Sequence, residues 1–69
     1  MEPQNISVRD VEPGMYLVEK GKDRYIEKVS HGACQRDRTH ITFLVNTPQG
    51  EKSVESCWDQ VATVPVRWL

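Results

Sequence analysis

The chain has 69 residues and a net charge of −1, with 38% hydrophobic and 28% charged residues, which predicts one small domain with too little apolar mass for both a core and a deep substrate cavity. No apolar run approaches the roughly 18 residues that a membrane span needs, and the N-terminus lacks the basic-then-apolar layout of a secretory signal. We therefore expect a cytoplasmic protein that does not contact membranes, needs no cofactor and is not an enzyme as a single protomer.

The beginning of the chain predicts a tail followed by one strand. Residues 1–7 are polar with an early proline, which is typical of a flexible end, and residues 8–69 are expected to form a single domain. The dipeptide Pro13-Gly14 is a strong turn signal because proline presets the first turn dihedral and glycine tolerates the next one. The short apolar run at residues 15–18 then predicts the first strand.

A hairpin is predicted to lead into the second strand. Gly21 lies in the polar stretch after the first strand, where it suits the bend of a tight turn. Residues 24–30 follow as the second strand. By the two-residue alternation of a strand, Tyr25 and Val29 share one face and Ile26 falls on the other, between charged neighbours. One face of this strand is therefore expected to be mostly exposed to solvent.

The clearest strand signal comes in the middle of the chain. Residues 31–38 show no periodicity and predict a solvent-facing loop or hairpin tip. Residues 40–45 come next and alternate, with Ile41, Phe43 and Val45 on one face. We expect this strand to be central.

The last third of the chain predicts a hairpin and a closing strand. Pro48 and Gly50 indicate a tight turn into a fourth strand at residues 51–57. Residues 57–62 are expected to form a short helical turn, after which the chain closes the sheet. Pro65 has no N–H to donate to a ladder, which favours an edge position for this last strand.

Taken together, the signals predict the fold class. Short strands separated by turn residues, without a helical stripe of about 11 residues and without an internal repeat, are typical of barrels and sandwiches. At this length we predict an all-β fold, a small five-stranded antiparallel SH3-like barrel that is partly open.

The order of these signals is similar to that of the N-terminal, SH3-like domain of bacterial elongation factor P and of its eukaryotic relative, the hypusine-carrying translation initiation factor. The similarity covers residues 8–60. It rests on Asp10-Val11-Glu12-Pro13-Gly14-Met15, on Gly21-Lys22-Asp23-Arg24-Tyr25-Ile26, on a polar hairpin around residues 31–39 and on Thr47-Pro48-Gln49-Gly50-Glu51-Lys52. The resemblance implies the barrel.

The hairpin tip departs from that family. Its members carry a modified lysine, or an arginine in some bacteria, in a glycine-rich tip between strands two and three. Here Arg36 and Arg38 lie in the corresponding loop, which contains no lysine and lacks the glycine-rich frame. The 69 residues also hold no counterpart of the family's oligonucleotide-binding-fold domains. The resemblance therefore does not extend to a role in peptide-bond formation.

A second stretch is similar to the plasmid-borne type II dihydrofolate reductases, which are also SH3-like barrels. The matching residues are Thr47-Pro48-Gln49-Gly50 and Ser53-Val54-Glu55-Ser56. Those enzymes form one active site by tetramerising around a Val-Gln-Ile-Tyr motif. This sequence lacks the motif, so we do not expect dihydrofolate reduction.

The two cysteines, Cys34 and Cys57, are expected to be free thiols, as is usual in a reducing compartment. We expect Cys34 in a loop and Cys57 in the core.

His31 and Cys34 have a workable zinc spacing, but no paired Cys-x-x-Cys knuckle is present, so no metal site is expected. Cys34 near His31 or His40 is the one candidate nucleophile, and neither oxyanion donors nor a cleft are predicted beside it. No catalytic residue is therefore assigned.

A local excess of positive charge predicts one candidate binding surface. Between residues 20 and 40, cationic side chains can pair with phosphates while aromatic rings stack on bases. The candidate nucleic-acid-binding residues are Lys20, Lys22, Arg24, Tyr25, Lys28, His31, Arg36 and Arg38. The alternative is an ordinary solvated surface, because acidic residues are interspersed among them.

The tryptophans predict a second candidate surface. Trp58 is expected in the core. Trp68 lies in an apolar C-terminal stretch that suits a docking strand or a self-association edge. The candidate protein-binding residues are Val66, Arg67, Trp68 and Leu69. The alternative is a last strand that simply closes the barrel.

We conclude that the sequence predicts a small non-enzymatic binding module that acts through protein–protein interaction, with a homo-oligomer as one form of it. Binding of RNA or single-stranded nucleic acid through the basic face is the alternative, and an enzyme formed at an oligomer interface is a second alternative. A protein interface predicts that removing Trp68 costs more affinity than removing Arg36 or Arg38. A nucleic-acid interface predicts that Arg36→Ala and Arg38→Ala weaken binding and flatten its salt dependence by about one unit of slope for each lost phosphate contact.

Overall fold

A computed structural model describes residues 2–68 as one antiparallel sheet that curls into a partly open barrel, which confirms the predicted fold class. The strands are β1 (Gln4–Ser7), β2 (Tyr16–Glu19), β3 (Lys22–Ala33), β4 (Arg38–Thr47), β5 (Gly50–Asp59) and β6 (Thr63–Arg67), with a 3-10 turn at Val8–Asp10. Their order in the sheet is β1-β6-β2-β3-β4-β5. In the part of the chain described here, no helix has the length and apolar character to cross a membrane.

Strand β4 lies inside the sheet but is the fifth of its six strands, next to the edge strand β5, and so is not the central strand that was predicted. It pairs with β3 on one side and along its whole length with β5 on the other. Its alternating residues Ile41, Phe43 and Val45 are buried, because successive side chains of a strand point to opposite faces of the sheet. They form the core with residues of the other strands and of the 3-10 turn: Val8, Val11, Leu17, Ile26, Val64 and Val66.

The sheet has six strands rather than five, and the additional strand, β1, lies in the segment expected to be a flexible tail. It pairs with β6, where Ile6 lies opposite Val64. Directly after it, Val8 is fully buried and its N–H donates to the Ala62 carbonyl at 3.1 Å. Burial of Val8 and backbone pairing therefore order a segment whose polar composition predicted the opposite.

The helical turn expected at residues 57–62 is absent from the structure. β5 continues to Asp59, and a tight turn follows. The Asp59 carboxylate accepts a hydrogen bond from the Val61 N–H at 3.1 Å, and its carbonyl accepts one from the Ala62 N–H at 3.0 Å. An aspartate that bonds the backbone two residues on favours such a turn over a helix.

The position predicted for Pro65 at a sheet edge is wrong, because β6 lies between β1 and β2. Pro65 pairs with Asn5 of β1. On the other side, the pairing of β6 with β2 covers only Arg67 and Val66 and stops one residue before the proline. The missing N–H is thus tolerated inside the sheet at the point where one ladder ends.

A β-bulge in β3 reverses the faces predicted for its apolar residues. Ile26 pairs with Val45 and the next pair involves Lys28, so that Glu27 is the extra residue. Ile26 is consequently buried in the core and Tyr25 is exposed. One inserted residue shifts the two-residue alternation, and this is why Ile26 and Val29, rather than Tyr25 and Val29, contact the core.

The expectation of two free thiols is wrong, because Cys34 and Cys57 form a disulfide with their Cα atoms 6.0 Å apart. His40 lies opposite Cys57 in the β4–β5 ladder. The loop that leaves β3 therefore folds back across the start of β4 and brings Cys34 to β5.

Candidate interaction surfaces

The outer face of strands β6, β2 and β3 carries a row of aromatic and arginine side chains. Tyr16 of β2 lies opposite Tyr25 of β3 on one side and opposite Arg67 of β6 on the other. The two tyrosine rings pack edge to face with centroids 5.3 Å apart. The adjacent residue pair, Leu17 and Val66, is buried on the opposite face. The row therefore faces away from the core.

Arg67 is held in this row by an acidic partner. Its Nη1 donates to Oδ1 of Asp23 at 2.8 Å, which connects β6 to β3 over β2. We call the set Tyr16, Asp23, Tyr25 and Arg67 the tyrosine face.

Only part of the predicted C-terminal docking strand is accessible. Val66 is buried in the core, whereas the side chain of Trp68 is 37% exposed at the end of β6. Leu69 lies outside the described residues. Trp68 lines a shallow pocket of about 60 Å³ together with Glu2 and Gln4. That volume is far below the roughly 300–1,000 Å³ of small-molecule sites.

The basic residues predicted to bind nucleic acid do not form one face. Lys20 and Lys22 lie at the β2–β3 turn, whereas His31 lies near the far end of β3, about 30 Å of extended chain from Lys22. Arg24 lies on the same face as buried Leu17 and contacts Glu19, with Arg24 Nε 3.9 Å from the carboxylate. Lys28 is exposed next to the bulge. The predicted set therefore divides into two separate groups of cations.

The second group lies on what we call the hairpin arm, residues 30–38, which are all exposed. Arg38 Nη1 donates to the Cys57 carbonyl at 3.2 Å. The Asp37 carbonyl accepts a hydrogen bond from the Gln60 N–H at 3.3 Å. Arg36 has no ion-pair partner within residues 2–68. The arm therefore presents Arg36 to solvent, while its base is fixed to β5 and to the turn after it.

Three of the side chains considered for zinc binding or nucleophilic catalysis, Cys34, Cys57 and His40, contact other side chains instead. Cys34 and Cys57 are joined in the disulfide. His40 Nε2 lies 3.5 Å from a carboxylate oxygen of Glu55. In the portion that the structure describes, no group of three or more histidine, cysteine or acidic side chains is arranged to hold a metal ion.

Comparison with known proteins identifies a similar fold. No protein-family model and no curated protein matches the sequence. Among solved structures, the chain is similar to the Translation initiation factor eif-5a family protein from Naegleria fowleri ATCC 30863, with a TM-score of 0.71 and 16% sequence identity over 97% of this chain and 48% of that chain. The chain thus spans about half the length of that protein. This likeness of fold confirms the resemblance to a translation-factor domain that the sequence predicted.

A charged cluster lies where β5 curls toward β2, two strands that are not neighbours in the sheet. The Glu19 carboxylate of β2 forms an ion pair with Lys52 Nζ of β5 at 3.7 Å and another with Arg24. Beside this cluster, a hydrogen bond to Glu27 and then the negative charge of Glu27 raise the pKa of the Glu51 carboxyl above its usual range. The ion pair between Lys52 and Glu19 therefore connects β5 to β2, two strands that do not pair in the sheet.

The sequence analysis named Tyr25 and Arg67 as candidates for two different surfaces and did not predict the face that brings them together with Tyr16, although one signal for it was present. A two-residue turn at Lys20 and Gly21 fixes the β2–β3 register, and that register alone places Tyr16 opposite Tyr25. The contribution of Arg67 depends on the pairing of β6 with β2. No local signal in the sequence predicts that pairing.

Proposed function

We propose that this domain is a non-enzymatic binding module whose tyrosine face docks on a protein partner, with Trp68 at the margin of the contact. The observation that carries the proposal is the continuous row formed by Tyr25, Tyr16 and Arg67 on the outer surface of three paired strands. Tyrosine, tryptophan and arginine are the side chains that most often dominate the energy of protein interfaces.

The geometry of the tyrosine face favours binding because its side chains are already ordered. Tyr16 and Tyr25 restrict each other through their edge-to-face contact, and Asp23 restricts Arg67. Immobilising a free side chain at an interface costs about 0.5–1.5 kcal/mol. A face whose side chains are preordered avoids much of that cost.

A role in translation is the biological setting that we propose for this contact. It is supported by the similar fold of the Naegleria protein, whose title describes a translation initiation factor family protein. In such a setting the domain contacts a protein of the translation machinery in the cytoplasm. The partner itself is to be identified by the experiment below.

The test replaces Val18, which lies opposite Asp23 at the border of the tyrosine face, by a photo-cross-linking amino acid and identifies the protein captured in a lysate, with and without nuclease treatment. The affinity of that partner is then measured for the unmodified chain and for Tyr25→Ala. We expect a loss of about tenfold or more, as for an interface hot spot. Val61→Ala is the matched control, because Val61 is an apolar side chain that is 83% exposed at the β5–β6 turn. Equal affinities of Tyr25→Ala and the unmodified chain would refute the proposal.

RNA or single-stranded nucleic acid is the second candidate partner, bound through the hairpin arm. The specific observation in its favour is that His31 and Arg36 are exposed on this arm. In this case nuclease treatment abolishes capture, and Arg36→Ala lowers the salt dependence of binding by about one unit of slope. Arg24→Ala is the control, since Arg24 lies beside Glu19. The Trp68→Ala variant separates the two candidates, because it weakens only the protein contact.

A further inference from the structure

We infer that the Cys34–Cys57 disulfide is a reversible redox clip that fixes the loop at residues 34–37 on β5 and releases that loop on reduction. The bond connects the loop after β3 to a strand that is not the neighbour of β3 in the sheet. It therefore constrains the loop in a way that the β3–β4 ladder does not. This role is independent of which partner the domain binds.

The disulfide is accessible to an external thiol. Cys34 lies in the exposed loop and Cys57 is half-buried. Exposed disulfides are more readily reduced than enclosed ones, and in reducing compartments disulfides are usually transient or redox-sensing. An exposed position thus suits a bond that opens and closes in the folded protein.

The exchange is chemically complete with a small thiol such as glutathione. Its thiolate attacks Sγ of Cys34, the sulfur–sulfur bond breaks, and Cys57 leaves as a thiolate. A second glutathione thiolate attacks the glutathione sulfur of the mixed disulfide and releases Cys34 as a thiolate. Both cysteine sulfurs are reduced and take up the two protons that the glutathione thiols lost on ionisation. Two glutathione molecules are oxidised to one glutathione disulfide.

The strand ladders hold the two ends of the loop, at Ala33 and Arg38, and three hydrogen bonds at exposed positions remain once the disulfide is open. They are the hydrogen bonds from Arg38 N–H to the Gln35 carbonyl at 3.0 Å, from Gln60 N–H to the Asp37 carbonyl at 3.3 Å, and from the Arg38 side chain to Cys57 at 3.2 Å. All of them are at exposed positions, where water competes for donors and acceptors. Reduction should therefore loosen the loop and change how the arm presents Arg36.

The barrel itself does not depend on the clip. Neither cysteine belongs to the core cluster or to the apolar side chains packed against it. The ladders of β4 with β3 and with β5 continue through Ile41, Phe43 and Val45. Opening of the clip is therefore a local event, of the kind that proteins undergo without global unfolding.

The test equilibrates the native chain with mixtures of reduced and oxidised glutathione, traps thiols by alkylation and follows backbone amide exchange by NMR. We expect reduction without denaturant and exchange about tenfold faster in residues 34–37, with little change at Ile41, Phe43 and Val45. The Cys34→Ser/Cys57→Ser variant is the control. Its amide exchange rates should match those of the reduced chain and should not depend on the glutathione mixture. A bond that excess reduced glutathione opens only after denaturation would overturn the inference, as would exchange that accelerates throughout the sheet in the reduced chain. Should the double variant not fold, the reduced unmodified chain gives the same comparison.

Discussion

Arg67 donates to the Asp23 carboxylate at 2.8 Å and thereby connects the last strand of the chain to the third strand across β2. Both side chains are more than one third exposed, at 35% and 38%. Tyr16 lies between the two strands that carry them. The pair therefore fixes one border of the tyrosine face, and its value lies in ordering Arg67 more than in stabilising the fold.

A double-mutant cycle on this pair should show weak coupling. We expect Asp23→Ala and Arg67→Ala to interact by less than about 1 kcal/mol in urea unfolding, because solvent screens exposed ion pairs. Asp23→Ala should nevertheless weaken binding of the protein partner, since it frees Arg67 to move. A coupling energy above about 2 kcal/mol would show that the pair is a main determinant of stability, contrary to this expectation.

Trp58 and Trp68 should differ in their contributions to stability. The indole N–H of Trp58 donates to the Ile41 carbonyl at 3.3 Å, and its ring centroid lies 6.2 Å from that of Phe43. Trp58→Phe should lower the free energy of unfolding by about 1 kcal/mol or more, since a part-buried carbonyl loses its donor. Trp68→Phe is the control, with a change within about 0.5 kcal/mol. Equal effects of the two substitutions in urea unfolding would contradict this assignment of Trp58 to the core.

Local signals predicted much of the barrel, and one local irregularity accounts for the main error in β3. The alternation of Ile41, Phe43 and Val45 held because β4 is regular over its whole length. In β3 the bulge at Glu27 inserts one residue, and nothing in the composition around it marks that position. Ile26 was therefore predicted on the wrong side relative to Val29.

The candidate surfaces were less predictable because they depend on contacts between distant parts of the chain. Arg67 reaches the tyrosine face through the pairing of β6 with β2. Cys34 reaches Cys57 because the loop folds back across the start of β4, over a separation of 23 residues. Neither contact has a local sequence signal. Tyr16 and Tyr25 are the exception, since the intervening two-residue turn sets their register.

The β2–β3 turn offers a test of backbone conformation. Lys20 and Gly21 both have positive φ values, 51° and 78°, as type I′ hairpin turns require. Gly21→Ala should cost about 1–2 kcal/mol. Lys20→Asn should be neutral or stabilising by a few tenths of a kcal/mol, because Asn-Gly is the preferred pair for this turn.

Gly32→Ala is the matched control for the turn variants. Gly32 has no positive φ, and a Cβ there would lie 3.9 Å from the His40 carbonyl oxygen, an ordinary contact. Its effect on thermal unfolding should stay within about 0.5 kcal/mol. If Gly32→Ala were as destabilising as Gly21→Ala, loss of glycine itself rather than the turn conformation would be responsible.

The last prediction concerns pH and the two carboxyls of Glu27 and Glu51. Glu27 raises the pKa of Glu51 above the ordinary value of 4.5, through a hydrogen bond first and charge repulsion second. A raised pKa in the folded state means that folding favours the protonated carboxyl. The resulting stabilisation is complete below 4.5, the unfolded value, and is lost as the pH rises through the higher folded value.

Glu51→Gln should remove this pH dependence, because an amide keeps a hydrogen-bond donor toward Glu27 and carries no charge. Above the folded pKa of Glu51, the variant should therefore melt at a slightly higher temperature than the unmodified chain, and the difference should shrink as the pH falls toward 4.5. Glu12→Gln, at another exposed glutamate, serves as the control for loss of one negative charge. The measurement is the melting temperature of the three proteins at several pH values over about pH 4 to 7. Parallel curves for Glu51→Gln and Glu12→Gln would show that net charge, rather than contact with Glu27, governs the response.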